Sequence, residues 1–189
     1  DIASVSMAPS KIISTGQGGL VLTNSKVLHE NVVRLKDHGR LSRNESNHPL
    51  PGYNFKFTDL QASIGLSQYK KLPQRLEKAK QDHRFYRNAL ADVKGIRIVP
   101  VDETSGTVPL WVDAISERKK ELMVAMLDKN IELRPFWDCL HRQWIGGNPV
   151  SFPKSCEAER LGFWLPSCPS LEIEKMEMVC REIKSFFAS

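Results

Sequence analysis

The sequence predicts an α/β protein in two parts, and three features support this interpretation. Two short apolar strands at residues 2–7 and 19–23 flank a loop that holds one lysine, Lys11. Strand-like and helical segments alternate over the later part of the chain. Between the two parts Pro73 interrupts a helical pattern, so we place a domain boundary near that residue. The resulting domains are residues 1–73 and 74–189.

Composition and charge are those of a folded globular protein. The 189 residues are 41% apolar and 26% charged, and the net charge of +5 is not gathered into a block. No basic stripe with interleaved aromatic residues is present, so a nucleic-acid partner is not expected. No apolar run approaches the roughly 20 residues that span a bilayer, and no signal peptide is visible. We therefore expect a cytoplasmic protein with no membrane partner.

The four cysteines do not predict a metal centre. Cys139, Cys156, Cys168 and Cys180 form no C-x-x-C pair and have no paired spacing with histidine. A zinc site and a disulfide framework are both disfavoured, and we assign no metal ligand. Free thiols are typical of the reducing cytoplasm.

In the first domain, two helices should follow the strands. Residues 25–37 have the apolar periodicity of a helix, and Gly39 would end it. Residues 40–52 are polar and rich in turn formers, which indicates a loop. Residues 58–61 (Thr-Asp-Leu-Gln) form a capping box that should start a second helix. Small residues in that helix permit close packing, here at a subunit interface.

The second domain should alternate helices and strands. Its predicted elements are, in order, a charged helix to about residue 92, strands at 96–101 and 107–115, a helix at 117–129, a strand at 131–136, an irregular segment at 138–157 and a helix at 171–187. Glycine, proline and aromatic residues are frequent in the irregular segment, which is typical of a binding loop. The last helix carries an apolar stripe that indicates core.

The loop around Lys11 has the composition of a cofactor site. Glycines at 16, 18 and 19 permit backbone conformations and close approaches that side chains would block. Hydroxyl groups suited to binding a phosphate are carried by Ser6, Ser10, Ser14 and Thr15. A neutral lysine amine in such a loop can form an imine with a carbonyl. Composition alone nevertheless favours an ordinary solvated lysine.

Two other lysine motifs are excluded. A Walker A loop has a glycine directly before its lysine, and this chain has Ser10 there. The Ser-x-x-Lys motif needs a serine three residues before the lysine, where this chain has Ala8.

Five stretches of the sequence together resemble one family. They are Ser6-Met-Ala-Pro-Ser-Lys11, Thr15-Gly-Gln-Gly-Gly19, residues 20–24 (Leu-Val-Leu-Thr-Asn), Asp37-His-Gly39 and Gly52-Tyr-Asn-Phe-Lys-Phe-Thr-Asp-Leu-Gln-Ala62. In this order they are similar to the DegT/DnrJ/EryC1/StrS family of pyridoxal-phosphate (PLP) sugar aminotransferases. The resemblance implies an incomplete fold type I PLP-transferase. Residues 1–73 would be the end of the large PLP-binding domain and 74–189 the small C-terminal α/β domain.

The resemblance implies three cofactor-binding residues. Lys11 would be the catalytic Schiff-base lysine, and Ser6 would bind the PLP phosphate. Asn54 would reach the phosphate of a neighbouring subunit's PLP, so that a homodimer shares its active sites. The residues alone leave alternatives open, because Ser6 also suits a strand hydroxyl and Asn54 a turn. Gln17 stands where the family usually has glutamate, which leaves the role of that position open.

Three substrate-binding residues are also implied. Arg40 would bind a carboxylate of the glutamate donor or a phosphate, although an isolated arginine is more often a surface residue. Arg134 and His141 belong to a stretch that resembles the segment facing the sugar nucleotide. Phe136 and Trp137 in that stretch would stack on a base or sugar, or would belong to the core.

The implied activity is PLP-dependent transfer of an amino group from glutamate to a nucleotide-linked keto-deoxysugar, with a leaning toward a perosamine-synthase-like 4-keto substrate. The chain begins at Asp1 rather than methionine, and in the family a carboxylate for the pyridinium nitrogen lies upstream of the lysine. We therefore expect an N-terminal segment to be missing and this chain alone to bind PLP poorly and to be inactive.

Two other functions remain open. One is a sugar 3-dehydratase of the same family, which would carry histidine in place of Lys11. The other is a non-catalytic fragment or regulatory module that keeps the dimer-forming surface without cofactor chemistry.

Overall fold

Contacts along the chain define two compact units, residues 1–73 and 74–189. The computed structural model describes residues 1–42, 44, 46–143 and 152–188. None of the helices in these ranges is long and apolar enough to cross a membrane.

The first unit is built on an antiparallel hairpin. Strand β1 (Ile2–Ser6) pairs with strand β2 (Gly19–Thr23), from Ile2 opposite Thr23 to Ser6 opposite Gly19. The β-branched and aliphatic residues of both strands favour extended backbone. Both predicted strands are confirmed, and the first ends one residue earlier than expected. The connection between the strands is the loop that holds Lys11.

Two helices follow the hairpin, α1 (Lys26–Lys36) and α2 (Asp59–Tyr69). Helix α1 is capped by Ser25, whose hydroxyl accepts a hydrogen bond from a backbone N–H of the first turn. Helix α2 begins with the predicted capping box. The Gln61 N–H donates to Thr58 Oγ1 at 3.2 Å, and the Thr58 N–H donates to Gln61 Oε1 at 3.1 Å. Neither helix, each described along its whole length, contains a buried residue.

The segment between these helices folds back on the end of α1. Asp37 and Asn54 form an antiparallel bridge, and the Phe55 N–H donates to the Lys36 carbonyl oxygen at 3.0 Å. At the centre of this contact Gly52 lies against Gly39, so closely that a Cβ on Gly52 would overlap the Gly39 backbone. Two residues of the predicted loop, at positions 43 and 45, lie outside the described residues.

The second unit packs helices against a four-stranded antiparallel sheet of order β3-β4-β6-β5. Its elements are α3 (Leu72–Ala89), β3 (Arg97–Ile98), β4 (Val112–Ile115), α4 (Lys119–Leu127), β5 (Arg134–Pro135), α5 (Pro153–Leu161), β6 (Gly162–Leu165) and α6 (Ile173–Ala188). Short 3-10 turns span Glu103–Ser105 and Leu140–Arg142. The mixture of strands and helices confirms the predicted α/β class.

The core of the second unit joins its helices to the sheet. Tyr86, Leu122, Phe163 and Ile183 are fully buried in one apolar cluster. The Tyr86 hydroxyl donates to the Pro166 carbonyl oxygen at 2.8 Å, so its polar end is satisfied inside the core. Burial raises the pKa of the Tyr86 hydroxyl well above its usual range. The predicted core stripe of the last helix is confirmed by the buried residues of α6.

Two predictions for this unit are wrong in detail. The strands predicted at 96–101 and 107–115 shrink to the short strands β3 and β4. Of the segment predicted to be irregular, residues 138–157, the last part belongs to helix α5, whereas 144–151 lie outside the described residues. Helix α5 buries only Leu161, so it lacks the apolar periodicity by which helices are found.

Strand β6 was also missed. All four of its residues are buried, because it lies between β4 and β5 in the sheet. A strand that is buried on both faces shows no alternation of polar and apolar residues, and so gives a weak signal in the sequence.

Replacing Leu122 by alanine tests the core of the second unit. Leu122 is 0% exposed on α4, whereas Leu127 on the same helix is 64% exposed. We expect Leu122→Ala to lower the free energy of unfolding by about 2–5 kcal/mol, because a buried leucine loses its transfer free energy and leaves a cavity. The control Leu127→Ala should change it by less than about 0.5 kcal/mol. Urea unfolding followed by circular dichroism measures both, and equal losses would contradict the assigned core.

Candidate active site

The loop that holds Lys11 is closed by main-chain hydrogen bonds beyond the end of the hairpin. The Met7 N–H donates to the Gly18 carbonyl oxygen at 2.9 Å, and the Thr15 N–H donates to the Met7 carbonyl oxygen at 3.1 Å. Within the loop, the Lys11 N–H donates to the Ala8 carbonyl oxygen at 3.0 Å and makes a turn. Met7 and Thr15 are buried, so the base of the loop is anchored.

Two glycines allow this loop to lie close to its neighbours. A Cβ on Gly18 would lie 2.5 Å from the Phe57 ring, and a Cβ on Gly19 would lie 2.5 Å from the Val5 carbonyl oxygen. Gly18 also has a φ of +125°, which side chains of L-residues rarely tolerate. The close approaches expected from the sequence are therefore present.

The hydroxyl groups of the loop divide into two kinds. Ser14 and Thr15 bind backbone, since Ser14 Oγ lies 3.2 Å from the Met7 carbonyl oxygen and Thr15 Oγ1 donates to the Gln17 carbonyl oxygen at 2.7 Å. They hold the loop in shape. Ser6 differs, because its exposed hydroxyl oxygen accepts from the Ala8 N–H at 3.3 Å and its own proton can be donated to a ligand.

Lys11 is half-buried in the loop. Within the described ranges, its Nζ makes no hydrogen bond or ion pair, so the amine is not committed to a neighbouring carboxylate. Ser6 and Gln17 line a groove of about 840 Å³ between the hairpin, α1 and residues 55–57. Lys11 is not among the residues that line this groove.

The first turn of helix α2 contacts the C-terminal part of the lysine loop. The Gln61 side-chain amide donates from Nε2 to the Gln17 carbonyl oxygen at 3.0 Å. The residue that completes the cap of α2 therefore also fixes the lysine loop. Sequence reasoning found the cap but not this contact, because a main-chain acceptor 44 positions away leaves no mark in the residue pattern.

Arg40 and Asn54 both contact Asp37, Arg40 through the side chains and Asn54 through a backbone bridge. Asp37 Oδ1 accepts from Arg40 at 2.6 Å and from Lys56 at 2.7 Å. These hydrogen bonds, first the one from Lys56, hold the pKa of the Asp37 carboxyl well below its usual range. Asn54 is the bridge partner of Asp37, and it is exposed. The structure thus gives Arg40 a partner within the chain, which sequence reasoning missed.

In the second unit, Arg134 lies beside a cluster of aromatic rings. Its guanidinium carbon is 5.6 Å from the centre of the Trp164 ring. Trp111 and Trp137 lie 4.8 and 4.6 Å from Trp164, measured between ring centres. Trp137 is 61% exposed, and Phe136 is half-buried against Trp164. Only part of the aromatic stretch is therefore core.

These rings line a pocket of about 410 Å³ together with Asp113. Burial raises the pKa of the Asp113 carboxyl, and a hydrogen bond from Trp164 opposes that rise. His141 is not among the residues that line this pocket, and its ring is 5.0 Å from Phe152 and its Nε2 3.8 Å from Cys156 Sγ. The structure thus places Arg134 against Trp164 and His141 beside a cysteine.

Comparison with known proteins identifies the family. Residues 1–184 match the model of the DegT/DnrJ/EryC1/StrS aminotransferase family, and the chain belongs to this family. Aminotransferases of this family are PLP-dependent.

Curated relatives are sugar aminotransferases. The chain is 30% identical over 198 residues to the GDP-perosamine synthase of Vibrio cholerae, covering 99% of this chain and 53% of that protein. It is 29% identical over 197 residues to the GDP-perosamine synthase of Escherichia coli O157:H7, covering 100% of this chain and 52% of that protein. The chain therefore spans about half the length of the curated relatives it matches.

Solved structures show the same fold. The aminotransferase TlmJ from Streptoalloteichus hindustanus superposes with a TM-score of 0.91 at 23% identity, over 100% of this chain and 52% of that one. NtdA from Bacillus subtilis, solved with bound cofactor PMP, gives a TM-score of 0.91 at 22% identity, over 100% of this chain and 46% of that one. The fold is a partial fold type I, as the sequence predicted.

The Asp37 ion pairs predict a pH-dependent stability. Because the folded pKa of Asp37 lies well below its unfolded value of about 3.9, its contribution to stability is present at neutral pH, begins to decline as the pH falls below about 4, and is lost fully only below the folded pKa. We expect Asp37→Asn to lower stability at pH 7, and the difference from the unsubstituted chain to narrow in acid. Urea unfolding at pH 7 and pH 3 measures this.

Glu30→Gln is the matched control for Asp37→Asn. It removes a carboxylate from a partly exposed surface pair with Arg34, with 3.7 Å between the charged atoms. Such surface pairs contribute little, so we expect almost no change at either pH. A difference for Asp37→Asn that persists unchanged in acid would contradict the role given to its charge.

Proposed function

We propose that this chain provides the lysine of a PLP-dependent aminotransferase that moves an amino group from glutamate to a nucleotide-linked keto-deoxysugar. The observation that carries the proposal is Lys11, half-buried on a loop that hydrogen bonds close at its base. The family of the chain supports the same role. The relatives named as GDP-perosamine synthases favour a 4-keto sugar linked to a nucleotide.

The residues of the loop fit PLP. The uncommitted amine of Lys11 can bond to the aldehyde carbon, and the Ser6 hydroxyl can donate to the phosphate. Gly18 and Gly19 let the loop pack directly against the Phe57 ring and the Val5 carbonyl oxygen, which sets the shape of the loop that carries Lys11. When bound, PLP supplies the electron sink of the reaction.

Lys11 has two tasks in this proposal. It holds the cofactor, and once released its amine moves the proton at the Cα atom of the amino donor. A base held near the substrate is effective because the entropic cost of bringing it into position is not part of the reaction barrier. The hydrogen bonds at Met7, Gly18 and Gln17 hold the loop from which the Lys11 side chain extends.

Asn54 is proposed to act on a second subunit. Its exposed side chain stands on the segment that folds against α1. Helix α2, which follows, exposes Leu60, Leu66 and Tyr69, of which Leu60 is 72% exposed. Exposed apolar residues on a helix with small neighbours support a homodimer that shares its active sites.

Arg134, His141 and Arg40 are proposed to bind substrates. Arg134 stands beside exposed aromatic surface, which can stack on a base or sugar while the guanidinium binds phosphate. His141 is half-buried on the adjoining turn. Arg40 would bind the carboxylate of glutamate only by sharing its guanidinium with Asp37.

A dimerisation module without cofactor chemistry is the second candidate. The exposed apolar side chains of α2 favour it, because they need no cofactor to explain them. A sugar 3-dehydratase is disfavoured by the lysine at position 11.

Reductive labelling separates the enzyme from the module. The purified chain is mixed with PLP, reduced with borohydride and mapped by peptide mass spectrometry. Reduction traps each imine covalently, so weak binding is sufficient. We expect label at Lys11 to exceed label at Lys26, an exposed lysine at the start of α1, by several-fold.

Two variants control this experiment. Lys11→Ala should lose the selective label, whereas Lys26→Ala should keep it. Label spread evenly over surface lysines, and equal in all three proteins, would contradict the role of Lys11 and leave the module.

A further inference from the structure

Three side chains with metal-binding atoms meet in the second unit. They belong to Cys139, His141 and Cys156, and their ligand atoms all lie within 4.8 Å of one another. The two sulfur atoms are 3.8 Å apart, and Cys156 Sγ is 3.8 Å from His141 Nε2. Both cysteines are free thiols. Of these three residues, only His141 has a role in the proposed function, as a substrate-binding residue, and neither cysteine has one.

The cluster is held by a carboxylate on helix α5. Glu159 lies three residues after Cys156 on that helix, so both side chains share one face. Its carboxylate accepts from the Cys139 N–H at 2.9 Å and pairs with the Arg142 guanidinium. These two contacts, at Cys139 and Arg142, anchor both ends of the turn that carries His141 and so hold its imidazole near the two thiols.

We propose that Cys139, His141 and Cys156 form a site for a soft divalent metal ion of the zinc type. Thiolate and imidazole are the ligands that zinc prefers. A tetrahedral zinc ion with Zn–S bonds of about 2.3 Å requires its sulfur ligands to be about 3.8 Å apart, and a sulfur and a nitrogen ligand about 3.6 Å apart. The observed separations of 3.8 Å match these values.

The distance between the two sulfur atoms also argues against a disulfide. A disulfide requires the two sulfur atoms to lie about 2.0 Å apart, so Cys139 and Cys156 would have to move together by nearly half of their separation. A metal ion needs little movement. Binding replaces the two thiol protons, which pass to solvent, and the two thiolates cancel the charge of the ion.

Three protein ligands leave a fourth position for water or a small molecule. Cys139 also lines the aromatic pocket beside Trp137 and Trp164, so a bound ion would stiffen one wall of that pocket. His141 would then have its Nε2 on the metal and not on a sugar. The proposal goes beyond the aminotransferase activity and does not rest on it.

Cobalt binding tests the site. The full chain is reduced, stripped of metal with a chelator and titrated with Co²⁺, which takes the geometry of zinc and is coloured. We expect a thiolate-to-cobalt charge-transfer band and the visible bands of tetrahedral cobalt, saturating at one ion per chain and removed by added Zn²⁺. Cys156→Ser and His141→Asn should each weaken binding by more than about tenfold.

Cys168→Ser is the matched control, because Cys168 is an exposed thiol outside the cluster. It should leave the cobalt spectrum unchanged. Circular dichroism tests whether each variant is folded. Cys156 is substituted instead of Cys139 because Cys139 is buried, and its replacement would be more disruptive to folding. Absence of the charge-transfer band in the folded, reduced chain overturns the proposal. Equal loss of the band in Cys168→Ser overturns it as well.

Discussion

The main-chain pairing of Met7 with Gly18 is the contact on which the lysine loop depends. It extends the hairpin by one step beyond Ser6 and Gly19, and it sets where the loop begins and ends. A side chain at Gly18 would meet the Phe57 ring and would be strained at a φ of +125°, so glycine favours this pairing. The backbone position of Lys11 thus follows from main-chain hydrogen bonds at the base of its loop.

Local signals were sufficient to predict the first unit. The Thr58 cap and the glycines around Gly18 act within a few residues, so sequence reasoning found them. The contact of Gln61 with the Gln17 carbonyl oxygen and the bridge of Asp37 with Asn54 join distant segments. Every residue offers a main-chain carbonyl oxygen, so the side-chain pattern of the sequence does not indicate which carbonyl accepts a given hydrogen bond.

The second unit was harder to predict because its signals depend on burial. Strand β6 is buried along its whole length and has no alternation, and helix α5 buries only Leu161. The cluster of Cys139 with Cys156 was hidden for another reason. The two residues are 17 positions apart, and they meet where Glu159 of α5 accepts a hydrogen bond from the Cys139 N–H. Motif spacing detects metal sites whose ligands are close in sequence.

The charge around Asp37 bears on the proposed role of Asn54. One carboxylate serves two cations, Arg40 and Lys56, so it neutralises only one of them. The low pKa of Asp37 keeps that carboxylate ionised at any physiological pH, which makes the surplus positive charge permanent. A surplus cation beside an exposed amide favours an anion such as a phosphate. Arg40 would then share its guanidinium between Asp37 and a bound anion, either the carboxylate of glutamate or a phosphate.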